Sequence, residues 1–328
     1  MSTYPFTRLR RTRVSGWSRR MVSENVIMRD DLIWTIIITD AKEKRTSIPS
    51  MPGVDRVNLD EVVSEAKKAR DLGIPAIALF PHINPKYKSD CASEALNPNG
   101  LIPQAVSAIK SAVPDLGIIV DVALDPYTIH GHDGLLEGNK ILNDASVEIL
   151  AQSAVILGNA GADIVAPSDM MDGRVASIRE SLERAQLNDV MIMSYAAKYA
   201  SSFYGPYRDA IGTSSSLVGD KRTYQMDPAN SDEALREVEQ DIIEGADMIM
   251  IKPGMPYLDI IKRIKDEFRM PTYAFQVSGE YSMLKAVSQN GWLDEKKIVL
   301  ESLTSFKRAG CDGILTYFAP QVADWLSH

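Results

Sequence analysis

Residues 248–254 read Met-Ile-Met-Ile-Lys-Pro-Gly, and this short run sets a pattern that recurs along the chain. Four apolar residues precede Lys252, and Pro253-Gly254 stops the run. Strands of a parallel sheet are buried on both faces, so they read as continuous apolar runs rather than alternating ones. The segment therefore predicts a buried strand that ends in a lysine.

Seven further runs of the same type occur. Strands alternating with helices predict a parallel sheet, and eight such units over roughly 300 residues match a closed (β/α)8 TIM barrel in one domain, residues 32–328. An open doubly wound sheet is the alternative, but its glycine-rich dinucleotide fingerprint is missing. The predicted strands are Leu32–Thr39, Ile74–Phe80, Gly117–Leu124, Asp163–Pro167, Val190–Tyr195, Met248–Lys252, Thr272–Val277 and Gly313–Phe318.

Helical patterns lie between these strands. Asn58–Leu72 begins with a good capping residue, and Ala145–Leu157 is followed by Gly158, which readily takes the left-handed stop conformation. Ser231–Glu244 carries its apolar residues on one face and stops at Gly245. These segments are the predicted outer helices of the barrel.

The composition excludes several classes of protein. With 45% hydrophobic and 24% charged residues, the chain is an ordinary globular protein rather than a disordered or fibrous one. A net charge of -8 argues against binding to nucleic acid or to anionic membranes. The two cysteines form no CxxC pair, which favours a reducing compartment. No apolar run approaches the roughly 20 residues of a membrane span. We therefore expect a cytoplasmic protein.

Residues 1–31 are rich in arginine and poor in acidic residues, and they lack the apolar region of a secretory signal. This composition suits an N-terminal arm that lies on a partner subunit. An organelle transit peptide is the alternative.

Two lysines fall at the ends of neighbouring predicted strands, where barrels carry their chemistry. Lys252 ends the sixth strand, and Lys198 follows the fifth. Two adjacent ammonium groups in a poorly hydrated pocket disfavour each other's charge, so at least one pKa should fall and give a neutral amine. Either lysine alone is better explained as a solvated cation, but the pair indicates Schiff-base chemistry.

The segment 201–230 lacks a clear period and is rich in Ser, Gly, Tyr and Pro, as is typical of a mobile lid over the barrel mouth. Its cations can clamp a small carboxylate, with one amide adding a neutral hydrogen bond. A solvated loop is the alternative. The candidate clamp residues are Arg208, Lys221, Arg222 and Gln225, and Ser278 and Tyr317 add hydroxyl groups at the same rim.

Two sets of acidic residues are candidate metal sites. The loop 121–134 contains carboxylates and imidazoles without a thiolate, which suits magnesium or a monovalent cation better than structural zinc. Glu237 belongs to an acidic stripe of the helix before the sixth strand. In both places the default interpretation is a solvated surface, and the stripe comprises Glu233, Glu237, Asp241 and Glu244.

These residues lie in long motifs that resemble the porphobilinogen synthase, or 5-aminolevulinate dehydratase, family, and the resemblance runs from Arg8 almost to the C-terminus. The motifs are Phe80-Pro81, Asp121–Gly134, Pro167–Gly173, Ser194–Ala210 with Ser202-Phe203-Tyr204-Gly205-Pro206, Met250–Asp259, and Val277-Ser278-Gly279-Glu280-Tyr281.

The resemblance implies a (β/α)8 barrel lyase that condenses two 5-aminolevulinate molecules to porphobilinogen with loss of two waters, in tetrapyrrole and heme biosynthesis. It implies that Lys252 forms the imine with the first substrate and Lys198 with the second. By the same resemblance Ser278 and Tyr317 hold the first carboxylate, and the second is held by Arg208, Lys221 and Gln225.

The resemblance also bears on metals and assembly. Zinc-using relatives carry three cysteines where this chain has Ala123, Asp125 and Asp133, so catalytic zinc is not expected and no organic cofactor is implied. Asp125 and Asp133 are candidate ligands for another ion, and Glu237 matches the residue that anchors an allosteric Mg2+. In the family the arm wraps a neighbouring barrel, commonly in a homo-octamer.

Two competing interpretations stay open. A class I aldolase also forms a lysine imine on a barrel, but it needs neither the second lysine nor two carboxylate sites. A non-catalytic barrel whose arginine-rich arm binds RNA is disfavoured by the net charge and by the lack of stacking aromatics among those arginines.

Overall fold

The computed structural model describes residues 3–212, 217 and 219–327. Its strands follow the predicted apolar runs, with short additions in the loops. They are β1 (Leu32–Thr39), β2 (Arg45–Ser47), β3 (Asp55–Val57), β4 (Ala76–His82), β5 (Gly117–Val122), β6 (Leu135–Glu137), β7 (Lys140–Leu142), β8 (Ile164–Pro167), β9 (Met191–Lys198), β10 (Met248–Lys252), β11 (Thr272–Phe275) and β12 (Gly313–Thr316).

In the described part of the chain, parallel strands close into a barrel in the order β1-β4-β5-β8-β9-β10-β11-β12, and β12 pairs back onto β1. The closing register places Leu32 opposite Ile314 and Trp34 opposite Thr316. The prediction of a (β/α)8 barrel is confirmed. Two small elements are added to the barrel. β3 and β2 extend the sheet beyond β1, and β6 pairs with β7 as a separate antiparallel hairpin.

Helices cover the outside of the barrel, and their boundaries follow local chemistry. Asn58 caps α2 by accepting a hydrogen bond from the Glu61 amide. The helices are α1 (Gly16–Met21), α2 (Leu59–Asp71), α3 (Leu101–Ala112), α4 (Asn143–Ala160), α5 (Arg174–Arg184), α6 (Gly205–Ala210), α7 (Asp232–Ile243), α8 (Leu258–Phe268), α9 (Ser278–Gln289), α10 (Glu295–Ala309) and α11 (Ala319–Trp325).

The stop predicted at Gly158 is wrong. α4 continues to Ala160, and the left-handed residue that ends it is Gly161, with φ of 106°. Gly158 lies inside the helix, where an added Cβ would stand 2.9 Å from a methyl carbon of Leu187. Its role is therefore close packing between helices rather than termination.

The carboxyl ends of five strands differ from the prediction: β4 ends at His82, β5 ends at Val122, and the other three bear on candidate site residues. β9 runs on to Lys198, because it continues to pair with β10 past an irregularity in register. β12 ends at Thr316, so Tyr317 lies in the turn before α11 rather than in the strand. β11 ends at Phe275, and Ser278 is the first residue of α9. All three differences fall at the barrel mouth.

The N-terminal segment lies outside the barrel. Residues 3–31 contain two short 3-10 turns, Leu9–Arg13 and Arg29–Asp31, and the helix α1. Many of its large apolar side chains are exposed on the single chain, including Phe6 at 81%, Leu9 at 79% and Trp17 at 62%. Within the described residues, no helix combines the length and apolar character needed to cross a lipid bilayer.

Candidate functional site

Lys252 and Lys198 are brought together as predicted. They are direct partners in the register between β10 and β9, and both side chains are buried. The backbone carbonyl of Lys252 is held in place by the Tyr199 amide at 2.9 Å and by the Tyr204 hydroxyl at 3.1 Å. The strand pairing thus fixes two amines side by side at the carboxyl end of the barrel.

Lys252 lies in an aromatic box. Ring centroids lie 4.6 to 5.9 Å from its Nζ atom, so the amine is surrounded by π faces and edges rather than by water. Burial, together with the nearby Lys198, lowers the pKa of Lys252 to about 7. A large fraction of this amine is therefore neutral at neutral pH. The rings belong to Phe80, Tyr195, Tyr204, Tyr207 and Phe275.

Lys198 has polar surroundings instead. Its Nζ donates to Asp133 Oδ1 at 3.2 Å and to the backbone carbonyl of Ser168. Only 5% of the residue is exposed. The two lysines therefore have different surroundings. The Lys252 amine lies among aromatic rings, whereas the Lys198 amine is hydrogen-bonded to Asp133 and Ser168.

Asp121, in β5, is a functional candidate that the sequence prediction did not single out. Burial raises the pKa of its carboxyl to about 6, although Lys252 and Lys198 act in the opposite direction. The Ser168 side chain also acts to lower this pKa, but within the described residues Oδ1 is buried without a partner. A carboxylate inside an otherwise apolar strand was the available sequence signal. Asp121 is placed to exchange a proton beside the lysines.

Lys221 from the lid segment reaches the two aspartates of the loop after β5. Its Nζ lies 3.1 Å from Asp125 Oδ2 and 2.6 Å from Asp133 Oδ2. Burial alone would lower the pKa of Lys221, but the two carboxylates raise it above its usual value. Although burial opposes them, Lys198 and Lys221 hold the pKa of Asp133 well below its usual range. The ammonium group of Lys221 thus pairs with both aspartates.

This arrangement bears on a catalytic metal. Ala123 offers no ligand atom, and the Asp125 and Asp133 carboxylates face ammonium groups. Across residues 3–212, 217 and 219–327, no cluster of three or more His, Cys, Asp or Glu side chains is arranged to hold a metal ion. The absence of catalytic zinc and the presence of another ion at Asp125 and Asp133 both stay predictions.

The lid segment 201–230 has more structure than its composition predicts. It forms a 3-10 turn, Ser202–Tyr204, followed directly by α6. Residues 213–216 and 218 of the predicted lid lie outside the described residues. A small cavity of about 30 Å³ lies between the lid segment and the strand ends. Arg208, Lys221, Gln225, Lys198 and Lys252 all line this cavity.

Ser278 and Tyr317 are not among the residues that line this cavity. The Ser278 hydroxyl accepts a hydrogen bond from the Tyr207 amide at 2.8 Å, which joins α9 to the lid. The Tyr317 hydroxyl is buried, and none of the described residues hydrogen-bonds to it. Tyr317 packs against Phe275, a member of the aromatic box, with ring centroids 6.1 Å apart. Both residues therefore contact the aromatic box around Lys252, whereas Arg208, Lys221 and Gln225 line the cavity.

Glu237 lies in α7, away from the lysines, beside a cavity of about 470 Å³ that Asp172, Arg222 and Glu233 also line. Burial raises the pKa of Glu237. The solvated acidic stripe predicted for this helix is wrong at Asp241, which is 2% exposed and accepts hydrogen bonds from Arg174. Arg174, the first residue of α5, and Ser194 in β9 cover that part of the stripe.

Comparison with known proteins identifies relatives over nearly the whole chain. A family profile described as Delta-aminolevulinic acid dehydratase matches residues 6–325. A delta-aminolevulinic acid dehydratase from Bradyrhizobium diazoefficiens is 60% identical over 319 residues, which cover 97% of this chain and 90% of that protein. The Bacillus subtilis protein of the same name is 48% identical, covering 98% of each chain. A crystal structure of the Toxoplasma gondii porphobilinogen synthase with its product porphobilinogen has a TM-score of 0.95 and 49% identity, covering 97% of this chain and 91% of that one.

Proposed function

The chain belongs to the delta-aminolevulinic acid dehydratase family, and we propose that it makes porphobilinogen from 5-aminolevulinate through imines on Lys252 and Lys198. It is a lyase of tetrapyrrole biosynthesis, and the reaction joins two substrate molecules with loss of two waters. The contacts of its own residues support the imine chemistry.

The observation that carries the imine proposal is the aromatic box around Lys252. A neutral amine attacks the ketone carbon of the first substrate, water leaves, and the resulting imine makes that carbon electrophilic. A pKa of about 7 supplies the neutral amine, and the rings exclude water that would hydrolyse the imine. Ser278 and Tyr317 are proposed to bind the carboxylate of this substrate.

Lys198 is proposed to hold the second substrate in the same way. Its neighbour Lys221 and the lid residue Arg208 line the cavity above it, and in the described part of the chain no carboxylate pairs with Arg208. That guanidinium is therefore available for a substrate carboxylate, with Gln225 adding a neutral hydrogen bond. Asp121, with one buried unpartnered oxygen, is proposed to move a proton between the reacting groups.

We further propose that Mg2+ acts at Glu237 rather than at the lysines. A half-buried carboxylate beside a cavity that also holds Asp172 and Glu233 suits an ion that keeps most of its water shell and takes one or two carboxylates. When bound, the ion would supply positive charge to this acidic face. No step at the lysines is assigned to it.

The assembly and location are proposed on other grounds. The exposed apolar side chains of residues 3–31 would be buried against a second copy, which supports a homo-oligomer, and we propose an octamer. A cytoplasmic location is proposed from the cysteine content and from bacterial relatives such as that of Bradyrhizobium diazoefficiens.

The test is borohydride reduction of the purified protein with 5-aminolevulinate, followed by peptide mass mapping, with porphobilinogen formation assayed in parallel with and without a chelator. A reduced adduct on Lys252 together with product formation is expected. Product formation without any lysine adduct would contradict the imine proposal. Loss of product in the chelator arm would show that a metal is required.

A further inference from the structure

Glu280 is an acidic residue with no role in the imine chemistry, yet it is fully buried, and burial raises the pKa of its carboxyl group to about 8 although backbone amides act in the opposite direction. It lies in the first turn of α9 and is 0% exposed. No salt bridge joins it to a cationic side chain among the residues that the structure describes. A buried carboxylate without a counterion is costly unless hydrogen bonds stabilise it, so its contacts show what it does.

The two carboxylate oxygens of Glu280 accept hydrogen bonds from two different loops. Oε2 accepts from the Val277 amide at 2.5 Å and from the Gly254 amide at 3.5 Å, and Oε1 accepts from the Met255 amide. Gly254 and Met255 form the turn that directly follows Lys252-Pro253, whereas Val277 immediately precedes Ser278. One side chain therefore joins the loop after β10 to the start of α9.

Both segments are closely packed at a glycine. A Cβ added at Gly254 would stand 2.2 Å from the ring of Phe306, and one added at Gly279, in the first turn of α9, would stand 2.4 Å from the carbonyl oxygen of Phe203. Distances this short do not occur between real atoms, so neighbouring side chains or backbone would have to shift. Glu280 thus connects two segments that each pack closely against their neighbours.

We infer that Glu280 is a positioning residue of the first substrate subsite, which sets the distance between the Lys252 amine and the Ser278 hydroxyl. This inference rests on the proposed function. A 4-oxo acid presents a ketone and a carboxylate separated by two methylene groups, so its ketone reaches Lys252 in a reactive geometry only if the carboxylate contact is correctly spaced. Glu280 therefore determines preference for ketones of that length that carry a carboxylate.

The experiment compares two ketones of the same size. 4-Oxopentanoate carries the carboxylate, and in pentan-2-one a methyl group replaces it. Rates of borohydride-trapped adduct formation at Lys252 are measured by peptide mass mapping for the wild type, Glu280→Gln and the control Glu295→Gln. Glu295 pairs with Lys285 and Gln321 and contacts neither loop, so its substitution removes a charge without touching the proposed link.

In Glu280→Gln an amide N–H group faces a backbone N–H donor, so at least one of the bridging hydrogen bonds is lost. The rate ratio of 4-oxopentanoate to pentan-2-one is expected to fall at least about tenfold, and to stay within about threefold of wild type in Glu295→Gln. A loss of general stability would slow both ketones together. An unchanged ratio in Glu280→Gln would overturn the inference.

Two further variants, Ser278→Ala and Glu280→Asp, complete the experiment. If Glu280 acts through Ser278, then Glu280→Gln lowers the ratio no further in a Ser278→Ala background, and an equal drop in both backgrounds would overturn the inference. If Glu280→Gln does not fold by circular dichroism, Glu280→Asp serves instead, because its shorter side chain keeps the carboxyl group but cannot reach both segments. The rate ratio of 4-oxopentanoate to pentan-2-one is expected to fall by the same factor in Glu280→Asp. An unchanged ratio would overturn the inference. A wild type that forms no adduct at Lys252 would instead overturn the proposed function.

Discussion

Lys252 and Lys198 are direct partners in the register between β10 and β9, but their environments are opposite. Aromatic rings surround the Lys252 amine, and Asp133 and the Ser168 carbonyl accept hydrogen bonds from the Lys198 amine. A parallel strand pair brings the side chains together, and the loops around them set their chemistry. The first predictions test this division of roles.

Lys252→Ala is expected to lower the rate of porphobilinogen formation at least about 10³-fold, because no other amine occupies the aromatic box. Lys198→Ala is expected to do the same while still allowing a trapped adduct on Lys252. Steady-state rates and adduct mapping check both. Lys297→Ala, at a position with an 84% exposed side chain, is the matched control. Full activity of Lys198→Ala would favour an aldolase-like reaction with one imine.

The rate of adduct formation at Lys252 is expected to rise with pH through a midpoint near 7. The neutral amine is the reactive form, so a pKa of about 7 gives roughly 10% neutral amine at pH 6 and 90% at pH 8. The rate should level off above that range. Initial rates of borohydride trapping between pH 5.5 and 9 measure it, and a rate that still rises steeply at pH 9 would show that the aromatic box does not lower the pKa of Lys252.

Asp121→Asn is expected to move that midpoint to lower pH. The Asp121 carboxylate raises the pKa of Lys252, so removing the negative charge favours the neutral amine. Product formation should fall at the same time, by about 10²-fold or more, if Asp121 moves a proton in the reaction. Asp115→Asn, at an exposed position before β5, is the control. A midpoint that does not move would place Asp121 outside electrostatic reach of Lys252.

Much of this site and fold was predictable, because the signals were local. Parallel strands are apolar on both faces, so each of the eight apolar runs predicts its own barrel strand. Lys252 follows such a run directly. Other features depend on contacts distant in sequence: β9 reaches Lys198 only by pairing with β10, and Glu280 bonds to a turn 25 residues away. Local pattern carries no information about such contacts.

The prediction of a solvated Asp241 was wrong for the same reason, because contacts distant in sequence bury this residue. A polar residue at helical spacing is expected to be solvated, but α7 packs against β9, and Ser194 and Arg174 bury the Asp241 carboxylate. Asp241→Ala is expected to destabilise the protein by about 3–5 kcal/mol, since the buried Arg174 loses its hydrogen-bonded carboxylate and keeps only Asp169, 3.8 Å away, as an acidic neighbour. Urea unfolding at one fixed protein concentration measures it. Glu180→Ala breaks the exposed pair with Arg184 and should cost less than about 1 kcal/mol.

Glu237→Ala is expected to abolish the stimulation of turnover by Mg2+. If the ion is held by this half-buried carboxylate, a titration of activity with MgCl2 should become flat in the variant. Glu239→Ala changes an exposed acid on the same helix and should keep the stimulation. Unchanged stimulation in Glu237→Ala would remove the magnesium assignment, whereas loss in both variants would indicate a nonspecific effect of acidic charge.

The N-terminal arm gives the last prediction. Apolar side chains as exposed as Phe6 and Leu9 need a covering surface, and on the single chain none is provided. Leu9→Asp is therefore expected to shift the protein to a smaller assembly, measured by size-exclusion chromatography with light scattering. Trp292→Asp alters an exposed apolar residue outside the arm, 74% exposed, and should leave the assembly unchanged. If Leu9→Asp leaves the assembly mass of wild type, the arm does not form the interface.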